Sequence, residues 1–291
     1  MFERFDAIRN AEMRQYTTLR LGGPADWLVF PRSGEEITEI FAEAREAGLP
    51  VTVIGHGSNL LVLDGGIRGV VIRVEKNMRA IRVEGTRIVA QAGAMLGTVA
   101  VAAAEAGLTG LEFASGIPGT VGGGVTMNAG AYGGEMAQVV TRVNGVYPNG
   151  TRVSLAAEEM RFGYRTSLIQ GTDLVVTEVT FDLKPGDPAE IRAKMSDLNA
   201  RRAEKQPLDM PSAGSTFKRP EGHFAGQLIE EAGLRGFAVG DAQVSEKHCG
   251  FVINRGAATA SQIRELIGEV QRRVFEHSGI RLETEVILLG E

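Results

Sequence analysis

Apolar and polar positions recur along this chain with two periods, and the switches between them predict its elements. Residues 26–31 (DWLVFP) read as a short strand. Ser33-Gly34-Glu35-Glu36 has the form of a capping box, with Ser33 as N-cap and Glu36 at the third helical position. Ile37, Ile40, Phe41 and Ala44 follow at helical spacing, and Gly48 stands where a helix closes. Residues 51–54 form a β-branched run, predicted as a buried strand that completes a β-α-β unit. Strands are predicted at 60–63, 70–74, 81–84 and 87–91, then an alanine-rich helix at 95–106 ending at Gly107. Residues 139–147 and 151–155 form a hairpin about Pro148-Asn149-Gly150, and an alternating strand covers 174–183. Asp187, Pro188 and Glu190 open a polar helix that runs to about Lys205 and reads as a bridge between domains. Beyond it come a compact loop at 211–220, a short helix at 224–232 and a strand at 251–254. Thr259 caps a helix carrying Ile263, Leu266, Ile267, Val270 and Val274. A last strand is predicted at 281–289, with Glu283, Glu285 and Ile287 on one face and Leu282, Thr284 and Val286 on the other.

Two segments escape both periods because glycine dominates them. Residues 112–134 (EFASGIPGTVGGGVTMNAGAYGG) hold 8 glycines in 23 positions, against 38 in the whole chain of 291. Backbone of this kind can approach a ligand closely, and its amides suit an anion such as phosphate. A solvated linker is the competing reading, but Ile117, Val121, Val125 and Met127 interleave the glycines where a linker carries serine, lysine and glutamate. The second segment is Gly55-His56-Gly57-Ser58-Asn59-Leu60. It lacks the third glycine and following helix of a dinucleotide-binding Rossmann fingerprint, and no P-loop sequence occurs. It can still wrap a pyrophosphate, although a tight turn between strands explains it as well.

Composition narrows the class. The chain is long enough for two or three domains, and 43% hydrophobic and 23% charged residues are ordinary for a soluble globular protein. A net charge of −5 without a basic run gives nucleic acid no footing. No apolar stretch is long enough to span a membrane, and MFERFDAIRN shows no secretory leader. One cysteine, Cys249, permits no internal disulfide, which fits a cytoplasmic location. His248-Cys249 has no metal-ligand spacing, and no metal site is expected.

Six motifs in series, GHGSNL (55–60), SGIPGTVGG (115–123), NAGAYGGE (128–135), FGYRTS (162–167), AGSTFKRP (213–220) and LETEV (282–286), resemble the UDP-N-acetylenolpyruvoylglucosamine reductases, in their shorter subtype. The resemblance implies an α/β fold with FAD bound in the vanillyl-alcohol-oxidase manner. Its domains are a first FAD-binding subdomain at 1–54, which strand 281–291 can join, a second at 55–186, a linker helix at 187–206 and a substrate domain at 207–280. It implies non-covalent FAD held by Gly55, His56, Gly57, Ser58, Asn59, Leu60, Ser115, Gly116, Ile117, Pro118, Gly119, Thr120, Gly122, Gly123, Asn128, Ala129, Gly130 and Tyr132. NADPH is the implied reductant, a sugar nucleotide the substrate, and a monomer the expected state. Gln227, Asp241 and Cys249 stand where the resemblance leads one to expect lysine, glycine and alanine.

The implied reaction adds a hydride to the vinyl carbon of an enolpyruvyl ether, which needs a cation or donors for enolate-like charge and a proton for the α-carbon. Arg165 can supply the cation, because its fork matches a carboxylate. Ser215 matches the family's proton donor and Glu285 its third catalytic residue. For Ser215 a plain turn hydroxyl, and for Glu285 an outward strand position, explain the residue type as well. Tyr164 goes with the substrate by resemblance. Lys218, Arg219, His223 and Lys247 are candidates for its phosphates, or else a solvated basic rim. Two other classes remain open: a flavin oxidase of alcohols or sugars with the same fold, and a non-catalytic sugar-nucleotide-binding protein.

Overall fold

The computed structural model describes residues 1–291. They fall into two units. The first contains Met1–Arg9, Trp27–His56 and Gly69–Arg202; the second contains Asn10–Asp26, Gly57–Arg68 and Ala203–Glu291. Each has its own apolar core. Ile37, Ile72, Leu96, Val143 and Phe181 lie in the first core, and Leu61, Ile229, Leu266 and Val270 in the second.

The bounds of these units differ from the expected ones: 1–9, 27–56 and 69–202 share the first unit, and 10–26 and 57–68 go with the C-terminal part. The reason is packing: Leu19, Leu21 and Leu61 are buried in the second core. The strand Ile287–Leu289 likewise runs parallel beside Leu60–Val62, so it joins that segment and not 1–54.

In the first unit, helix α1 (Gly34–Glu46) starts at Ser33, whose Oγ accepts from Glu36 N at 3.3 Å. Glu36 reaches back one residue further than expected, its Oε2 accepting from Arg32 N at 2.8 Å. Ile37, Ile40 and Ala44 make the buried stripe, and Gly48 takes a φ of 67° beyond the helix. Val51–Ile54 pairs in parallel with 70–73, but it is an edge strand, with no partner on its other side. Val53 is therefore exposed, where a buried strand was expected.

A five-stranded antiparallel sheet orders Arg152–Ala156, Val140–Val146, Val175–Asp182, Arg87–Gln91 and Ile81–Glu84. Helix α2 (Leu96–Glu105) buries Leu96, Val99, Ala100, Ala103 and Ala104, positions one helical face apart. Part of the glycine-rich segment is a helix and not a loop: α3 (Val121–Thr126), capped by Thr120 Oγ1 accepting from Gly123 N at 3.3 Å. Helix α4 (Pro188–Lys205) opens on Asp187, whose Oδ1 accepts from Ala189 N at 2.7 Å, and buries only Ile191 and Met195.

In the second unit an antiparallel sheet orders Ser212–Ser215, Phe251–Asn254, Ala242–Val244 and Ala238–Val239. The expected loop at 211–220 thus begins as a strand. Helices α5 (Ala225–Glu231) and α6 (Ala260–Ser278) accompany it. In α6 Ile263, Leu266, Ile267, Val270 and Val274 are buried, as their spacing predicts, contributing on the order of 10 kcal/mol before chain entropy is set against it. Its first turn is held doubly. Thr259 and Gln262 form a capping box, and the Asp64 carboxylate accepts from Ala260 N (2.7 Å), Ser261 N (2.8 Å) and Ser261 Oγ (2.6 Å). The last strand is shorter than predicted, because the chain changes partner inside it. Lys218 N donates to Glu283 O and Glu285 N to Thr216 O, whereas Ile287 N donates to Asn59 O.

Candidate active site

The GHGSNL turn crosses from one unit to the other, Gly55 and His56 lying in the first and Gly57 to Leu60 in the second. A Cβ on Gly55 would meet Thr120 Oγ1 at 2.4 Å, so this turn lies against the cap of α3. His56 Nδ1 is 3.4 Å from Glu75 Oε1, and Glu75 also pairs with Arg73 and, at 3.5 Å, Arg79. The His56 imidazole, with the two arginines behind it, holds the Glu75 carboxyl below its ordinary value against its burial. Gly57 has a φ of 78°, and a Cβ there would sit 2.2 Å from Tyr16 O, so both conformation and space demand glycine. Asn59 Nδ2 donates to Glu285 O at 3.0 Å, and Leu60 lies opposite Ile287. Ser58 is half-buried beside them.

The glycine-rich segment enters through Glu112, a buried carboxylate that accepts from the Thr109 hydroxyl and from Gly110 N at 3.0 Å. Burial opposes its ionisation, but these donors and Lys194 outweigh it and hold the carboxyl below its usual range. The turn Ser115-Gly116-Ile117-Pro118-Gly119 follows. Ser115 Oγ donates to Glu112 O at 2.8 Å and lies 3.3 Å from Asn199 Oδ1. Ile117 packs against the first core, and Gly119 O accepts from Leu96 N.

The three glycines of α3 divide by what surrounds them. A Cβ at Gly122 would lie 3.1 Å from Ala92 Cβ, and one at Gly124 3.1 Å from Leu96 Cδ1, so either would press on the core. At Gly123 the nearest atom would be Thr120 Oγ1 at 3.4 Å, an ordinary contact, and φ is not positive. Nothing in the protein demands glycine there. Bare backbone on that face of α3 suits the close approach of a bound group.

The FGYRTS loop is stitched to this segment by three bonds. Asn128 Nδ2 donates to Gly163 O (3.0 Å), Arg165 Nη2 to Gly130 O (3.2 Å) and Ser167 Oγ to Thr126 O (2.9 Å). Asn128 also accepts from Ala137 N, and Ala129 O accepts from Met136 N. Asn128, Tyr132 and Arg165 have φ of 42°, 53° and 55°, three of the seven non-glycine residues in the left-handed region. Such conformations cost about 1–2 kcal/mol per residue and persist where surrounding bonds over-determine them. Arg165 is half-buried with its guanidinium 5.1 Å from the exposed Tyr164 ring.

Ser215 and Glu285 are brought together within the second unit. Ser215 lies opposite Phe251 and Ser212 opposite Ile253, so the strand carries one extra residue, a β-bulge. Gly214, with a φ of 75° and nothing within 4 Å of its Cβ position, takes up the distortion. Bulges re-aim side chains, and here Ser215 is left exposed while Thr216 beside it is buried. Glu285 N donates to Thr216 O at 2.8 Å, so the segment that carries Glu285 runs beside the residue following Ser215, and Asn59 bonds the same backbone.

The basic candidates are dispersed in their contacts. Lys218 Nζ is 3.4 Å from Glu283, Arg219 lies 4.5 Å over the Phe224 ring and His223 is exposed. Lys247 Nζ donates to Ala203 O at 2.7 Å. Gln227 is tied to Glu231, Asp241 accepts from Ala257 N, and Cys249 is buried, so all three have structural employment. Sequence reasoning did not single out Glu75, Glu112, Gly214 or Arg202. Only Gly214 left a signal, as the glycine just before Ser215.

Residues 25–156 match the family described as FAD binding domain, and the architecture and glycine-built site define the protein as an FAD-binding α/β oxidoreductase. Residues 206–289 match the family described as the UDP-N-acetylenolpyruvoylglucosamine reductase C-terminal domain. The UDP-N-acetylenolpyruvoylglucosamine reductase of Lactiplantibacillus plantarum is 50% identical over 290 residues, 100% of this chain and 96% of that one. That of Clostridium botulinum (strain Hall) is 51% identical over 279 residues, 96% and 91% of the two chains. The crystal structure of the Thermus caldophilus reductase superposes with a TM-score of 0.84 at 38% identity, over 98% of both chains. This chain belongs to the UDP-N-acetylenolpyruvoylglucosamine reductase family. The expectations of an α/β fold, of FAD and of this family all hold.

Proposed function

We propose that the protein reduces UDP-N-acetylglucosamine enolpyruvate to UDP-N-acetylmuramate with NADPH, a step of peptidoglycan precursor synthesis. Full-length membership of the reductase family carries this reading. When bound, FAD supplies hydride transfer, from NADPH in and to the enolpyruvyl ether out. The groups that receive it are Gly55 to Leu60, the Ser115–Thr120 turn, Gly122, Gly123 and the Asn128–Tyr132 segment. Gly123, bare without structural need, supports this.

The chain's own residues handle charge and protons. Arg165, fixed by its bond to Gly130 O, presents its guanidinium to the substrate carboxylate as enolate-like charge develops there. Ser215 delivers the proton to the α-carbon. A neutral hydroxyl is a weak acid, so it serves only against a strongly basic enolate in fixed geometry, which the bulge at Gly214 favours. Glu285, on the segment bonded to the neighbouring Thr216, holds the carboxylate–enolate system or the transferred proton in place. Tyr164, Lys218, Arg219, His223 and Lys247 take the rest of the sugar nucleotide. The protein acts as a cytoplasmic monomer on small molecules, apart from membranes and nucleic acid, which its single cysteine and net charge of −5 suit. No helix is long and apolar enough to cross a membrane. We further take 207–280 as the part that binds substrate and 187–206 as the connecting helix.

The test is NADPH oxidation by the purified yellow protein with and without UDP-N-acetylglucosamine enolpyruvate. Oxidation that depends on the enolpyruvate and yields one UDP-N-acetylmuramate per NADPH supports the reading. Rapid flavin reoxidation by oxygen with indifference to the enolpyruvate defeats it.

A further inference from the structure

One guanidinium in the first unit has nothing to bind. Arg202 lies in the last turn of α4 and is half-buried. No carboxylate pairs with it, and no carbonyl or hydroxyl of the chain accepts a hydrogen bond from it. Its predecessor Arg201 shows the contrast, being exposed and bonded to Asp197 at 3.1 Å. Burial pulls the Arg202 guanidinium below the usual arginine range, with only the Tyr132 phenol acting the other way. Partial burial without an acceptor is unfavourable for a cation, and its nitrogens stay open to a bound anion. The negative end of α4 offsets part of this but supplies no acceptor.

Its surroundings belong to the glycine-rich segment. A Cβ on Gly116 would come within 3.1 Å of Arg202 Cδ and 2.5 Å of Asn199 Oδ1, so the turn leans on this face of α4 only because residue 116 has no side chain. Ser115 Oγ is 3.3 Å from the same Asn199 atom, and Tyr132, held at a φ of 53°, is the phenol that Arg202 senses. Bare backbone, the Ser115 hydroxyl and an unpaired planar cation thus share one place. A guanidinium presents five donors in a fork that fits phosphoryl oxygens two at a time.

We propose that Arg202 is an anion anchor of the cofactor site, its guanidinium receiving a phosphoryl group of FAD beside the turn that contains Gly116. The proposal rests on the FAD reading of the site, and the test separates the two. Apoprotein is titrated with FAD and with riboflavin, which has no phosphate, and flavin fluorescence quenching is followed. Arg202→Ala weakens FAD binding by about 10- to 100-fold, the effect of losing a charged hydrogen-bond pair, while riboflavin binding is unchanged. Arg202→Lys loses less, and Arg201→Ala loses nothing. Equal weakening for FAD and riboflavin overturns the anchor, since it reports general damage to the pocket. Unchanged FAD affinity with a raised KM for the sugar nucleotide also overturns it and assigns the cation to the substrate's diphosphate. Failure of the wild-type protein to bind FAD overturns both the anchor and the cofactor reading.

Discussion

The two units build their candidate residues from opposite materials. In the first unit most of the candidates are backbone, the Arg165 guanidinium apart. Gly116, Gly122, Gly123 and Gly130 carry no side chains; Asn128, Tyr132 and Arg165 are bent into left-handed conformations, and Asn128 and Arg165 are held by bonds with Gly163 O, Ala137 N and Gly130 O. In the second unit the candidate groups are side chains, Ser215 on a bulged strand and Glu285 on a segment bonded through Thr216 O. The contrast teaches where each half is vulnerable. A backbone surface is destroyed by adding atoms and fails in folding or cofactor binding. A side-chain surface is destroyed by removing atoms and fails in rate, with the fold intact.

The largest expected effect tests the side-chain half. Ser215→Ala lowers turnover by ~10²–10⁴-fold while flavin absorbance, reduction by NADPH and melting temperature stay as in the wild type. Normal turnover in that variant removes Ser215 from the chemistry. Next, in the backbone half, Gly134→Ala drives a methyl to 2.6 Å from the Phe113 ring and destabilises by about 1–3 kcal/mol, read by urea denaturation. A variant as stable as the wild type would show that the segment is looser than its contacts imply.

Gly123→Ala isolates the ligand's share of that half. An alanine in α3 finds only Thr120 Oγ1 at 3.4 Å and favours helix, so the apoprotein gains about 0.5–1 kcal/mol. FAD affinity nevertheless falls, by roughly tenfold, as measured by flavin titration. Unchanged affinity means that no ligand approaches this face.

The smallest effect lies outside both halves. Burial opposes ionisation of Asp64, but the Ser261 hydroxyl and the Ala260 and Ser261 amides outweigh it and place its folded value below the ordinary 3.8. The carboxylate therefore stabilises the fold fully above that ordinary value, and the contribution is lost as pH falls through the lowered one. Asp64→Ala costs about 1 kcal/mol at neutral pH, the magnitude of a lost helix cap, and the deficit shrinks under acid. A deficit that is flat from neutral to strongly acid pH excludes this account.

Much of the fold was legible because its rules are local. Ser33 and Thr259 announced α1 and α6 within three residues of each cap, the stripe from Ile263 to Val274 named its own buried face, and the turn at Pro148-Asn149-Gly150 joined the strands around it. The motifs from Gly55 to Val286 named the family for a related reason. A glycine that must admit a neighbour's backbone, as Gly57 admits Tyr16 O, leaves its mark directly in the residue type. What stayed hidden depends on which distant segments meet. Three successive glycines look alike in one dimension, and only packing against Ala92 and Leu96 separates Gly122 and Gly124 from Gly123. Asp64 caps a helix 196 residues away, Leu60–Val62 pairs with the last strand and so moves its segment into the second unit, and Arg202 differs from Arg201 only in what surrounds it. Propensity and capping act within a turn or two of chain. Burial and charge satisfaction are properties of the assembled neighbourhood, and no local pattern encodes them.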